Sequence, residues 1–278
     1  MMNHARSVGP LLREWRQRRR LSQLDLACEA DISTRHLSFL ETGRAQPSRD
    51  MVLHLSERLD VPLRERNVLL VAAGFAPVFS ERRLDDPALG AARRAVDLVL
   101  KGHEPYPALA VDRHWTLIAA NAPVGRLTAS ADPSLLAPPV NVLRLALHPK
   151  GLAPRTVNLV EWRAHLLARL RRQIDVTADP ALIELFKELR DYPATAAHRS
   201  ANGGRPSAPP ARPDLDQYAG VAVPFRYQTE AGVLSFFSTT TVFGTPVDIT
   251  LAELAIEAFF PADAATADAL RALGASAG

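Results

Sequence analysis

The chain has 278 residues, of which 47% are hydrophobic and 23% charged, and its formal net charge is +3. This length exceeds one typical domain and fits two, and no run approaches the roughly 20 apolar residues of a membrane helix. The N-terminus carries charges where a signal peptide has its apolar segment, so we expect a cytoplasmic protein without membrane insertion. Cys28 is the single cysteine, which excludes an internal disulfide and a cysteine-built zinc site, and we expect it to be a small packing residue on a helix.

The positive charge is concentrated at the N-terminal end. Residues 1–75 contain twelve Arg and nine Asp or Glu, a net of +3, whereas residues 76–278 contain twenty-one of each sign. The first predicted helix, from Ser7 to about Arg20, has one apolar stripe, and its other face carries Arg13, Arg16, Arg18, Arg19 and Arg20. Such a face is often simply solvated, but beside the segment that follows it indicates contact with nucleic acid.

The segment LSQLDLACEADISTRHLSFLETGR, from Leu21 to Arg44, predicts two short helices joined by a tight turn. Ser22 and Ser33 are suitable N-caps, and Gly43 is a natural residue just beyond the second helix. Asp31 lies where such turns often need a positive φ, which Asp tolerates. Ile32, Leu37 and Leu40 are expected to face the core. The positions left facing outward are Thr34, Arg35 and Ser38, with His36 and Phe39 at the margins.

Two further helices, starting at Pro47-Ser48 and after Val61-Pro62, complete a predicted five-helix all-α domain over residues 6–79. This domain resembles the Cro/repressor-like, or XRE, helix-turn-helix family. The features shared with the family are LSQ at the start of helix 2, Ile32 in the turn, Ser38 and Glu41 as SxxE, Gly43-Arg44, and Pro47-Ser48. Asp31 departs from the family, which usually has Gly there.

The resemblance implies a double-stranded DNA operator as partner and separate roles for individual residues. Gln23 would bind phosphate and brace the base-reading side chains, Thr34 and Arg35 would read base edges, and Arg44 would hold phosphate. Arg16 would pair with Glu41 inside the domain. The full predicted DNA-binding set is Gln23, Ser33, Thr34, Arg35, His36, Ser38, Phe39 and Arg44. One such domain offers few base contacts, so we expect a homodimer on half-sites about one helical turn apart.

A connecting helix or linker at 80–102 leads into a second domain, 103–278, whose pattern predicts an α+β fold. Hairpins are predicted at 108–120 and 221–242, helices at 141–147, 158–172, 181–190, 250–261 and 263–273, and a flexible Pro- and Gly-rich loop at 196–216. Strands at both ends with helices between them indicate one antiparallel sheet backed by helices, a fold in which a pocket forms between sheet and helices.

This second domain resembles the MmyB-like ligand-binding domain that often follows an XRE domain in bacterial regulators. The resemblance is carried by HEPYPALAVDRHWTLIAANAP, NVLRLALHPKGLAPRTVNLVEW and STTTVFGTPVDITLAELAIEAFFPAD. It implies a PAS-like fold, a homodimer and a pocket for a fatty acid or similar apolar ligand, with no other cofactor.

A carboxylate head group buried in such a pocket needs a cation or several hydrogen-bond donors. Arg144, within an otherwise apolar run, is the first candidate anchor, with His148, Asn121 and Asn158 as further ligand-binding candidates. Each of them could equally be a structural or surface residue.

An enzyme is not expected, because the histidines at 103, 114, 148 and 165 lack ligand-type spacing and no carboxylate pattern surrounds them. The sequence therefore predicts a nucleoid-associated transcriptional regulator whose second domain senses an apolar ligand. The alternative is a regulator whose second domain only dimerises or docks a protein, with any pocket filled by side chains.

Overall fold

The computed structural model describes residues 7–82, 86–193, 223–230, 232–244, 246 and 248–275. The predicted flexible loop, 196–216, lies outside these residues. Among them, every helix is too short or too polar to span a lipid bilayer. The chain divides into two compact units: one comprises Met1–Asp86 with Asp175–Thr177 and Gly244–Ala252, and the other comprises the remaining segments. The helix predicted as a linker clusters with the second unit.

The first unit contains the five predicted helices. They are α1 (Val8–Arg18), α2 (Gln23–Glu29), α3 (Thr34–Glu41), α4 (Arg49–Arg58) and α5 (Leu63–Ala72). Their apolar faces meet in one core, in which Leu26, Leu37, Leu40, Val52 and Leu55 have no exposed surface. The all-α, five-helix prediction for this domain is therefore confirmed.

Local chemistry fixes where these helices begin and end. Ser22 and Asp25 form a reciprocal capping box at α2, and the Ser33 hydroxyl accepts the His36 N–H at 3.1 Å to cap α3. Asp31 has a φ of 51°, as predicted for the turn between them, and Gly43 has a φ of 73° just beyond α3. The turn and both helix starts are therefore encoded within a few residues of where they occur.

Gly9 allows α1 to approach the end of α3 closely. A Cβ at this position would lie 2.5 Å from the carbonyl oxygen of Leu40 and 2.7 Å from that of Glu41, so the glycine is required by space. This close contact fixes the start of α1 against the C-terminal end of α3.

Three arginines of the predicted face make contacts within the first unit; Arg16 among them is buried, whereas for the others DNA contact stays a prediction. Arg16 is buried against Glu41, and Arg18 is paired with Glu14 one helical turn away. Arg19 donates to the carbonyl oxygens of Leu59 and Asp60, at 2.7 Å each, where α4 ends. Helix periodicity locates these side chains on one face but does not identify their hydrogen-bond partners, which for Arg16 and Arg19 lie outside α1.

The second unit begins with a short 3-10 turn (Pro87–Leu89) and combines helices with a five-stranded sheet. The helices that precede the second hairpin are α6 (Gly90–Gly102), α7 (Ala122–Thr128), α8 (Pro133–Leu136), α9 (Val142–Leu147), α10 (Leu159–Thr177) and α11 (Pro180–Asp191). The strands are β1 (Ala108–Val111), β2 (Leu117–Ala120), β3 (Phe225–Thr229), β4 (Gly232–Val242) and β5 (Ala255–Pro261). The short helix α12 (Ile249–Ala252), between β4 and β5, belongs to the first unit, and α13 (Ala264–Ala275) is the last element of the second.

All strand pairs in the sheet are antiparallel, and the order is β2-β1-β5-β4-β3. The prediction of one antiparallel sheet with helices is confirmed, and both predicted hairpins are present. The predicted helix at 250–261 is wrong, because only Ile249–Ala252 is helical and β5 follows it. β5 pairs with β1 on one side and β4 on the other, so two ladders of backbone hydrogen bonds stabilise it as the central strand.

The core of this unit lies where α10 and α11 meet the sheet. It includes Trp162, Leu166 and Leu170 from α10, Leu182, Leu185 and Leu189 from α11, and Phe225, Tyr227, Leu234 and Phe236 from β3 and β4. Phe236 and Tyr227 have at most 1% of their surface exposed, so the helices cover β3 and β4 at these positions.

Candidate DNA-binding surface and ligand cavity

The predicted base-reading positions lie together on α3. Arg35 is exposed, and Thr34, His36, Ser38 and Phe39 are half-buried along the same helix. Ser33 is exposed and caps the helix. Leu37 and Leu40 point into the core with no exposed surface, which leaves the other face of α3 available to a partner.

Phe39 organises the two arginines of this surface. The Arg35 guanidinium carbon lies 5.3 Å from the centre of the Phe39 ring, and that of Arg44 lies 5.9 Å from the same centre. Both distances fall within the range of cation–π attraction. The predicted base reader and the predicted phosphate contact therefore flank one aromatic ring.

Gln23 is held in place by a buried ion pair. Arg16 binds Glu41 through two hydrogen bonds, Nε to Oε1 at 2.6 Å and Nη2 to Oε2 at 2.9 Å. This bidentate contact raises the pKa of Arg16 above its ordinary value. The Gln23 Nε2 donates to Glu41 Oε2 at 2.8 Å. The Arg16–Glu41 pairing implied by the resemblance is therefore present, and it fixes the side chain at the start of α2.

Cys28, the single cysteine, is exposed on α2, so the prediction that it packs in the core is wrong. Leu26 and Ala27 take the buried face of this short helix. The neighbouring position therefore faces outward, as helical geometry requires.

The second unit contains an apolar cavity between its sheet and its helices. The space within its lining is about 1120 Å³, open solvent at its mouth included. Most of the lining is aliphatic or aromatic, and the aromatic side chains are Trp115, Trp162, Phe225, Tyr227, Phe236 and Phe259. Several of these rings contact each other, with Phe225 central to contacts with Trp162, Tyr227, Phe236 and Phe259. The lining therefore suits a ligand with a hydrocarbon surface.

Two charged side chains, Arg169 from α10 and Glu257 from β5, also line the cavity. They form a bidentate pair, with Nη1 to Oε2 at 2.8 Å and Nη2 to Oε1 at 2.5 Å. The Arg169 guanidinium carbon also lies 4.6 Å from the centre of the Trp115 ring. The sequence interpretation missed both residues because one lies in a helix with many arginines and the other in the segment predicted to be helical.

Arg144, the predicted anchor, lies outside the cavity lining. Its side chain is 46% exposed, and Glu188 binds it at 2.8 Å from both Nε and Nη2. The Arg144 guanidinium lowers the pKa of the Glu188 carboxyl below its ordinary value. Arg144 therefore joins α9 to α11 on the surface instead of lining the cavity.

The other three predicted ligand residues are also absent from the cavity lining and make structural contacts. Asn121 accepts the Ala108 N–H at 2.9 Å and donates to the carbonyls of Leu100 and Tyr106. Asn158 donates to the Pro224 carbonyl at 2.8 Å. The His148 Nδ1 accepts the Lys150 N–H at 3.0 Å. These polar side chains join backbone segments that are distant or irregular, which explains why they occur in otherwise apolar runs.

His165 stacks on Trp162, one of the side chains that line the cavity, and supports a pH prediction. Its ring stacks on Trp162 with centres 5.3 Å apart, and burial, followed by the charges of Arg169 and Arg172, lowers its pKa below 6.5. The folded state therefore binds fewer protons than the unfolded state as the pH falls below 6.5, so stability is lost there. We expect His165→Gln to flatten this acid-side loss in denaturant unfolding followed across pH. An unchanged pH profile would contradict the assignment.

The helix-turn-helix and the apolar cavity together define a DNA-binding transcription regulator with a ligand-binding domain. A family model described as MmyB-like transcription regulator ligand binding domain matches residues 92–273, and a model described as helix-turn-helix matches residues 12–66. The chain therefore belongs to the MmyB-like transcription regulators, with an XRE-type helix-turn-helix. A comparison with curated proteins found no match. Both matching families are domains of transcription regulators, which are not enzymes.

Proposed function

We propose that this protein binds a specific DNA operator through α3 and that an apolar, fatty-acid-like molecule in the cavity of the second unit controls this binding. The cavity is the observation that carries the proposal, because aliphatic and aromatic side chains form most of its lining. A ligand controls DNA binding only if its affinity differs between the two states of the regulator.

In the proposed DNA complex, α3 lies in the major groove. Arg35 reads a base edge together with Thr34, while Arg44 and Gln23 bind phosphate. The exposed position of Arg35 and the contacts of both arginines with Phe39 support this division. The half-buried Ser38 and His36 border the same surface, and Ser33 caps the helix at the end nearest the bases.

We expect Arg35→Ala to remove preference at one operator position, at a cost of about 1–3 kcal/mol there, because a bidentate contact to guanine is lost. Arg44→Ala is the matched variant, since it also removes an exposed arginine beside Phe39. It should weaken binding to all sequences about equally and reduce the salt dependence. Selection of bound sequences from a random DNA library, with each variant, measures both effects. A specificity profile of Arg35→Ala identical to that of the wild type would contradict the assignment of Arg35 as a base-reading residue.

We propose a homodimer, since one small domain makes few base contacts and two-fold operators are the usual solution. A PAS-like classification of the second unit is part of the proposal and is supported by its five-stranded antiparallel sheet with a cavity against the helices. Binding to chromosomal DNA places the proposed site of action in the cytoplasm.

Ligand binding distinguishes the proposed sensor from a regulator whose second domain only dimerises or docks a protein. Native mass spectrometry of the purified protein, repeated after denaturation, tests this directly. We expect a co-purifying apolar molecule that is released on denaturation. Repeated absence of such a mass, together with no binding across a panel of lipids, would favour the docking alternative.

A further inference from the structure

The connector between β4 and β5, Gly244–Ala252, belongs to the first unit, although both strands that it joins belong to the second. Both strands carry side chains that line the cavity, among them Phe236 and Ser238 on β4 and Phe259 on β5. A segment of the ligand-binding domain is therefore folded into the helix-turn-helix unit.

Contacts that we call the clasp hold this connector against the chain that follows α5. They join Ser80 and Arg82 to Asp248, Ile249 and Thr250. The backbones of Ser80 and Asp248 form a parallel β-bridge, and the Ile249 N–H donates to the Ser80 carbonyl at 2.9 Å. The Thr250 hydroxyl donates to the Arg82 carbonyl at 2.5 Å. Three successive residues of the connector therefore take part in the clasp.

Asp248 is the centre of the clasp and is almost wholly buried, with 1% of its surface exposed. Its Oδ2 accepts the Ser80 hydroxyl at 3.1 Å and the Arg82 Nη1 at 3.3 Å. Its Oδ1 accepts the Thr250 N–H at 2.9 Å. A buried carboxylate is costly without such partners, so these contacts are favoured for as long as Asp248 stays buried.

The residues just before the clasp are fixed to α5. The Asn67 side chain accepts the N–H groups of Val78 and Phe79, at 3.0 and 3.1 Å, and donates to the Phe79 carbonyl at 2.7 Å. On the same helix, Leu69 lies in the core that also contains Leu37 of α3. A continuous series of contacts therefore runs from the connector to the helix that is proposed to read DNA, and such series can carry coupling between sites.

We propose that the clasp transmits the state of the cavity to α3, and that Asp248 is the positioning residue on which this transmission depends. The inference rests on the proposed function, because it requires a ligand that controls DNA binding. A ligand that shifts β4 or β5 moves the corresponding end of the connector, and the clasp passes that movement to the chain after α5. Such coupling is reciprocal, so bound operator should change ligand affinity by the factor by which the ligand changes operator affinity.

Asp248→Asn tests the clasp, because it keeps an oxygen for the Thr250 N–H but removes the charge that holds Arg82. The probe is decanol, whose hydrocarbon chain represents the apolar part of a fatty-acid-like ligand. Fluorescence anisotropy with a selected operator should show that saturating decanol changes operator affinity about fivefold or more in the wild type and less than about twofold in the variant. Decanol affinity, measured by calorimetry, and operator affinity without decanol should each stay within about threefold of the wild-type values.

Asp263→Asn is the matched control, because it neutralises a carboxylate that accepts the Thr266 N–H at the start of α13, in the second unit. Its response to decanol should equal that of the wild type. A wild-type response in Asp248→Asn would overturn this inference alone. A wild-type protein that binds no decanol, or that binds it without a change in operator affinity, would overturn the proposed function and this inference with it.

A reversible cross-link tests the clasp without the Asp248 charge. Ser80→Cys with Asp248→Cys, in a Cys28→Ser background, places two thiols at β-bridge partners, where the spacing of paired strands lies within the range that a disulfide spans. The reduced form lacks the side-chain contacts of the clasp, so decanol should change its operator affinity less than about twofold, and the oxidised form should recover a change of about fivefold or more. Equal responses of the two forms would overturn the assignment, even if Asp248→Asn fails to fold.

Discussion

Glu41→Ala should destabilise the helix-turn-helix unit by about 3–5 kcal/mol, because it leaves Arg16 buried without its counter-charge. The Glu41 side chain is 1% exposed and receives hydrogen bonds from both Arg16 and Gln23. The loss is comparable to the whole stability of a small domain, so DNA binding should disappear with the fold. Denaturant unfolding followed by circular dichroism measures the change.

Glu14→Gln is the matched control, since it breaks an arginine–carboxylate pair on the surface of the same unit, with the Glu14 side chain 42% exposed. Surface ion pairs contribute about 0–1 kcal/mol to stability, so the free energy of unfolding of Glu14→Gln should be close to that of the wild type. The double variant Arg16→Met with Glu41→Met should recover much of the lost stability, because it removes both buried charges together. If Glu41→Ala and Glu14→Gln lowered the free energy of unfolding equally, the result would contradict the prediction that the buried Arg16–Glu41 pair stabilises the domain.

Ala146→Trp should abolish ligand binding by filling the cavity. Ala146 lies on α9, lines the cavity and is only half-buried, so a large side chain has room to enter the space that a ligand needs. We expect affinity for decanol to fall more than about tenfold and any co-purifying apolar molecule to be lost. Calorimetry and native mass spectrometry measure the two effects.

Ala164→Trp provides the comparison, because Ala164 is exposed on α10 and absent from the cavity lining. It adds the same side chain at a surface position and should leave ligand binding unchanged. Thermal unfolding of both variants checks that the second unit remains folded. A folded Ala146→Trp protein that binds decanol as the wild type does would show that the ligand site lies elsewhere.

The helix-turn-helix could be predicted from the sequence because its determinants are local. Ser33 caps the helix that starts at the next residue, and Asp31 adopts a positive φ through its own tolerance of that conformation. The apolar positions Leu37 and Leu40 recur at helical spacing and are buried. Their burial also determines which residues of α3 face outward.

The second unit was harder to predict because its decisive contacts are remote in sequence. β5 contains Ala255–Pro261, and its apolar residues fit helical spacing as well as a strand until its two neighbouring strands are known. That error hid Glu257, whose partner Arg169 is 88 residues away. Arg144 was predicted as the ligand anchor because it is a cation in an apolar run, but its guanidinium is paired with Glu188 on another helix. Sequence pattern identifies charged residues and leaves their partners open.

The most direct test of the account is the DNA affinity of the full chain with and without a cavity ligand. Fluorescence anisotropy with a selected operator should show that saturating decanol changes the dissociation constant by about fivefold or more in the wild type, the lower end of typical allosteric coupling. The same addition should have no effect on Ala146→Trp. Decanol that binds the wild type, as calorimetry would show, and leaves its DNA affinity unchanged would contradict the claim that the cavity controls DNA binding.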